Sequence, residues 1–135
     1  MTDRLFVDTL FIVALVNRRD QYYRQALDLA DQYDEWPLLT TDAVLLEVGN
    51  ALARNHKQEA VAIIERLLAA VEIEIVRMTP DLFARAFAIY KQHQDKSWGL
   101  VDCISFVAMR ETKVNRALTF DRHFVQAGFE CLMRE

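Results

Sequence analysis

Five short runs of strand-forming residues recur along this chain, and stretches of helical periodicity fill the gaps between them. The runs are Leu5-Phe6-Val7, Leu38-Leu39-Thr40, Ile73 to Met78, Ala117 to Phe120 and, as a candidate edge strand, Glu130 to Met133. Between them Tyr22, Tyr23, Ala26, Leu27, Ala30 and Tyr33 recur at helix spacing, as do Ala60, Ile63, Ile64, Leu67, Leu68 and Val71. A third set, Leu82, Phe83, Ala86, Phe87 and Tyr90, opens with Thr79 as its cap and Pro80 as its first helical residue. Apolar and aromatic stripes of this kind are read as core. Short strands alternating with longer helices predict an α/β sandwich with a short, largely parallel central sheet. The turn residues agree. Only 3 Gly and 2 Pro occur in 135 residues, where an average protein has about 12% of the two together. Parallel strands connect through helices and need no tight hairpins.

No repeat, low-complexity tract or linker interrupts the pattern, so residues 1–135 are read as one domain. The net charge of −4 gives no global basic field, and any nucleic-acid binding must come from a local patch or a metal. Cys103 and Cys131 form no C-x-x-C pair and are expected to be free thiols. His56, His93 and His123 are scattered and form no H-E-x-x-H pattern. The longest unbroken apolar run, Leu10 to Val16, is too short to span a membrane. No cleavable leader is apparent, so a cytoplasmic location is expected.

Four of the twenty acidic residues stand apart from solvated helix faces. Asp8 directly follows the first strand-like run, and Asp121 directly follows the fourth. Glu47 lies within the helix-like run Ala43 to Val48, just after the second strand. Asp102 lies within Trp98 to Ile104, which opens another helix. Ligands of open parallel sheets bind at the carboxyl ends of the strands, and right-handed crossovers keep those ends on one side. The four carboxylates are therefore expected to converge. Two carboxylates about 5 Å apart repel by roughly 3 kcal/mol at an effective dielectric near 20. Such a cluster must be partly protonated or hold a cation, and an oxygen-only donor set selects Mg²⁺ or Mn²⁺. Local roles are open to the same residues: Asp8 and Asp121 as helix caps, Asp102 as a partner of its helix dipole, and Glu47 as a solvated side chain on the polar edge of its helix. Asn50, three residues after Glu47, shares its helix face and is placed to orient it.

These segments resemble a PIN domain, the nuclease fold of many bacterial toxin ribonucleases of VapC type. The resemblance covers essentially the whole chain. Val7-Asp8-Thr9 before an apolar helix is similar to the family's first motif, and Leu46-Glu47-Val48-Gly49-Asn50-Ala51-Leu52 to its second. Leu100-Val101-Asp102-Cys103-Ile104-Ser105-Phe106 is similar to the third, with Cys103 where the family usually has Ala and Ser97-Trp98-Gly99 a less typical lead-in. Thr119-Phe120-Asp121-Arg122-His123-Phe124, with Gly128-Phe129 beyond, is similar to the fourth. The resemblance implies a PIN-like three-layer α/β/α sandwich and an endoribonuclease dependent on Mg²⁺ or Mn²⁺.

In that reading Asp8, Glu47, Asp102 and Asp121 are the catalytic residues. Asp8, Asp102 and Asp121 hold metal, and Glu47 orients or deprotonates the attacking water. Thr9, Asn50 and Thr119 support the acids. Arg18, Arg19, Lys96 and Arg122 are candidate RNA contacts, and Trp98 is open to two roles, stacking on an unpaired base or packing in the core or a dimer. A cognate antitoxin and a homodimer are the implied partners, with apolar faces on the early helices available to cover. The rival reading is a catalytically inactive PIN-like module that binds RNA or protein. Two other acid-bearing folds fit poorly. A haloacid-dehalogenase-type phosphatase needs a second Asp where Leu10 stands. A response-regulator receiver needs an acceptor Asp after the third strand, where Thr79-Pro80-Asp81 reads as a helix start.

Overall fold

The computed structural model describes residues 3–134. Its strands are β1 (Leu5–Val7), β2 (Leu38–Thr41), β3 (Ile73–Val76), β4 (Arg116–Leu118) and β5 (Glu130–Cys131). Helices α1 (Thr9–Val16) and α2 (Tyr23–Gln32) join β1 to β2, and α3 (Asp42–Leu52) and α4 (Lys57–Ala69) join β2 to β3. Helices α5 (Pro80–Gln92) and α6 (Leu100–Thr112) lead to β4, and α7 (Arg122–Gln126) leads to β5. The sheet order is β3-β2-β1-β4-β5, and every pairing is parallel. The central sheet is thus wholly parallel, with β5 at the edge as expected.

Side chains on a strand alternate between the two sheet faces, yet Leu5, Phe6 and Val7 are all buried. Both faces of β1 are therefore covered, which makes the molecule a three-layer sandwich. Local chemistry sets the helix starts. Thr41 accepts a hydrogen bond from Val44 N at 3.1 Å, and Thr79 accepts one from Leu82 N at 3.1 Å, with Pro80 first in α5. The fourth strand ends earlier than its apolar run suggests, at Leu118. Asp121 lies three residues beyond it, because Thr119 turns its hydroxyl into the site and accepts from Asp121 N at 3.1 Å.

One aromatic chain ties the elements that carry the acids. Phe6 on β1, Phe124 on α7 and Phe106 on α6 are fully buried. The Phe6 and Phe124 rings are 6.0 Å apart, and Phe124 meets Phe106 edge-on at 5.1 Å. Phe106 in turn meets Trp98 at 5.1 Å. Trp98 is 7% exposed, and its indole donates to Gln126 Oε1 at 2.9 Å. It is a packing residue of this chain and not a surface for stacking bases. The stripe on α5 is the reverse correction. Leu82 and Ala86 are buried, but Phe83, Phe87 and Tyr90 are 43%, 41% and 44% exposed. α5 packs its Leu82–Ala86 face toward α6, and the second stripe is left facing out. The large exposed apolar side chains among the described residues lie on α3, α4, α5 and α7 and in the loops.

Candidate active site

From β1 the chain runs outward through β2 to β3, then returns across the sheet to β4 on the other side of β1. The carboxyl ends of β1 and β4 thus flank the point where strand order reverses, the place where open parallel sheets bind ligands. Asp8 follows β1 there, its N–H donating to Leu118 O at 3.4 Å. Asp8 begins α1, but its side chain makes no capping bond. It is 4% exposed and accepts from Thr119 Oγ1 at 2.8 Å. Burial pushes its carboxyl from the ordinary 3.8 up to about 7, against the lowering effect of the Thr119 and Thr9 hydrogen bonds; the charges of Asp102 and Asp121 add smaller raising effects. Repulsion among the acids is real, but loss of water outweighs it at Asp8.

Asp121 caps α7, accepting from His123 N at 2.9 Å. Asp102 sits in the first turn of α6 and accepts from Gly99 N at 3.0 Å. The local roles open to Asp102 and Asp121 are thus filled, and the two still lie side by side. Burial also raises the Asp102 pKa, opposed by the Gly99 and His123 hydrogen bonds. His123 completes the group: its Nδ1 lies 2.8 Å from Asp102 Oδ2 and 3.3 Å from Asp121 Oδ1. One donor atom from each of Asp102, Asp121 and His123 lies within 4.8 Å of the others.

Glu47 stands on the rim. It is exposed, and Thr9 Oγ1 donates to its Oε1 at 2.7 Å. Thr9 follows Asp8 directly, so Glu47 is tied to the same strand end. Asn50 is exposed, and among the described residues no hydrogen bond joins it to Glu47; Thr9 takes the orienting role expected of Asn50. Thr9 and Thr119 thus anchor Glu47 and Asp8 respectively, and all four acids gather at one edge of the sheet. An open depression of about 560 Å³ there is lined by Leu10, Ser97, Phe120, Asp121, Arg122, His123 and Gln126.

Of the candidate phosphate contacts, Arg122 lines this depression. Lys96 pairs with Asp95 at 3.2 Å and lines a neighbouring depression with Phe87, Tyr90 and Lys91; Ser97 belongs to both. Arg18 lines a separate depression beside Leu15, Tyr23 and Glu59, and Arg19 is an exposed turn residue near it in sequence. Sequence reasoning passed over His123 and Ser97. The available signal was Asp121-Arg122-His123 at a helix start, where a residue two positions after the cap points back over it. Cys103 is buried and Cys131 partly so, both as free thiols; burial pushes the Cys103 thiol up to about 11.

A parallel sheet in this order, with carboxylates at its switch point, defines a class, and the PIN domain profile matches residues 5–130. The chain belongs to the PIN domain family. It is 33% identical over 129 residues to the 23S rRNA-specific endonuclease VapC20 of Mycobacterium tuberculosis, spanning 93% of this chain and 95% of that protein. The crystal structure of that VapC20, described as a toxin cleaving the sarcin–ricin loop, superposes with a TM-score of 0.84 at 31% identity, covering 93% of this chain and 95% of the other. VapBC2 of Rickettsia felis, solved on a promoter DNA fragment, superposes at 0.65 with 13% identity, over 95% of this chain and 96% of that one. That last match shares the fold.

Proposed function

We propose that this chain is a divalent-cation-dependent endoribonuclease, acting as a single domain in the cytoplasm as the toxin of a toxin–antitoxin pair. The observation that carries this reading is the meeting of Asp8, Glu47, Asp102 and Asp121 at one sheet edge, braced by Thr9 and Thr119. The likeness to VapC20 supports the substrate class.

The donor set fits a hard divalent ion. Asp8 is buried, no salt bridge reaches it among the described residues, and burial lifts its pKa to about 7; a nearby cation would favour its charged form. Asp102, Asp121 and Asp8 would hold Mg²⁺ or Mn²⁺. Such an ion, when bound, lowers the pKa of a bound water and offsets charge building on the phosphoryl oxygens. The chain's own groups do the rest. Glu47, on the rim and held by Thr9, accepts the proton of the attacking water. Thr119 keeps Asp8 facing the cleft. Arg122 binds a phosphate next to the scissile one, and Lys96 extends that contact along the surface. A cognate antitoxin and a homodimer are the partners this reading carries; the outward aromatic stripe of α5 is apolar surface available to either.

The test is cleavage of a sarcin–ricin loop RNA and of an unrelated single-stranded RNA by purified protein, with Mn²⁺ or with chelator. Cleavage that needs the ion and is lost in Asp102→Asn is expected. Binding without cleavage under every condition would favour the inactive module, and undiminished cleavage by Asp102→Asn would reject the site.

A further inference from the structure

His123 is wedged between two acids and a hydroxyl. Its Nδ1 faces Asp102 Oδ2 at 2.8 Å and Asp121 Oδ1 at 3.3 Å. Its Nε2 faces Ser97 Oγ at 3.2 Å. These spacings have a specific chemical meaning. Ligand atoms about 2.1 Å from a small six-coordinate divalent ion sit roughly 3 Å from their neighbours in the shell. Nδ1 already stands at such spacings from both carboxylate oxygens, and a cation entering there would take the place of the Nδ1 proton. An imidazole that binds a metal through one nitrogen also needs an acceptor for the N–H on the other, and Ser97 Oγ is in that place.

The surroundings hold the ring there. The backbone N–H of His123 is fixed by the Asp121 carboxylate, and Phe124 beside it is fully buried. Ser97 is tied to α7 through its neighbour Trp98, whose indole donates to Gln126. His93 is engaged elsewhere, its Nδ1 at 2.9 Å from Ile89 O.

We infer that His123 is a nitrogen ligand of the cation held by Asp102 and Asp121, positioned by Ser97, and that it makes the site prefer Mn²⁺ to Mg²⁺. The inference rests on the cation-dependent reading of this site. Carboxylate oxygens suit both ions, whereas an imidazole nitrogen is a softer donor that a transition-metal ion accepts more readily than Mg²⁺ does.

Tag-free protein loaded with Mn²⁺ tests this by pulsed electron paramagnetic resonance, alongside calorimetric titrations with Mn²⁺ and with Mg²⁺. The wild-type spectrum should show coupling of manganese to a ¹⁴N nucleus, and His123→Gln should abolish it. Loss of the imidazole should weaken Mn²⁺ binding about tenfold or more while Mg²⁺ binding stays within about twofold. Ser97→Ala should keep the nitrogen coupling and weaken Mn²⁺ binding about tenfold. Ions that bind the wild type without nitrogen coupling, or equal losses for both ions in His123→Gln, would overturn the role of His123 and leave the cation site standing. Failure of either ion to bind wild-type protein would remove the cation reading itself, and the inference with it. The wild-type spectrum decides the point even where a variant folds poorly.

Discussion

Asp8 shows how much one buried carboxylate determines. Its pKa near 7 lies above the ordinary value of 3.8, so the folded protein keeps a proton that the unfolded chain releases. The stability this proton provides is fully present below about pH 4. It is lost as pH rises through about 7, each pKa unit being worth about 1.4 kcal/mol. With chelator present, the melting temperature should fall between pH 4.5 and 8; a rise over that interval would contradict the burial argument. Asp8→Asn removes the cost at high pH, keeps an oxygen for Thr119, and should melt higher than wild type at pH 8 in chelator. Asp102→Asn should gain less, because the Gly99 and His123 hydrogen bonds already favour the charged form there. Thr119→Val removes the hydroxyl that donates to Asp8 and accepts from Asp121 N. It should cost about 1–3 kcal/mol in urea denaturation and weaken Mn²⁺ binding measured by calorimetry.

The short elements are held by what they insert, not by their own length. α7 has five residues, below what a helix sustains alone in water. It is anchored by Phe124 among Phe6, Phe106 and Phe129. Phe124→Ala should therefore cost about 3–5 kcal/mol in urea denaturation. Because α7 carries Asp121 and His123, Mn²⁺ affinity should drop with it. The turn from α7 into β5 depends on Gly128, at φ 99°. That backbone region is open to glycine and strained for alanine, so Gly128→Ala should lose about 1–2 kcal/mol although its added methyl meets no neighbour. A Gly128→Ala protein as stable as wild type would show that the turn relaxes.

At the scale of the whole molecule four acids meet at one sheet edge, and a cation bound there would stabilise the folded state alone. Mass action then sets the size of the effect: about 2.7 kcal/mol at a hundredfold excess over the dissociation constant. Mn²⁺ should raise the melting temperature of wild-type protein in a concentration-dependent way, and Asp8→Asn should show little of that rise. An equal rise in Asp8→Asn would place the ion elsewhere. α5 contributes at this scale too, since its Phe83, Phe87 and Tyr90 face outward together. Sedimentation of wild type against a Phe87→Ser variant measures whether this face joins two copies; a weaker dimer in the variant is the expected outcome.

The alternation of strand-like runs and helical periods was enough to announce a parallel sheet, because residue spacing acts within an element and glycine scarcity disfavours tight hairpins. The positions of Asp8, Asp102 and Asp121 at strand ends and helix starts, and of Glu47 inside the helix after β2, were legible for the same local reason. Only packing decided which of them loses water: Asp8 is sealed by Thr119 and the β4 end, whereas Glu47 stays in solvent on α3. Packing also turned Trp98 inward, left the second stripe of α5 outward, and closed Ser97, His123 and Asp102 into one chain across 26 residues. Periodicity names the side of a helix that is apolar, but burial and hydrogen bonding depend on what another element places against that side.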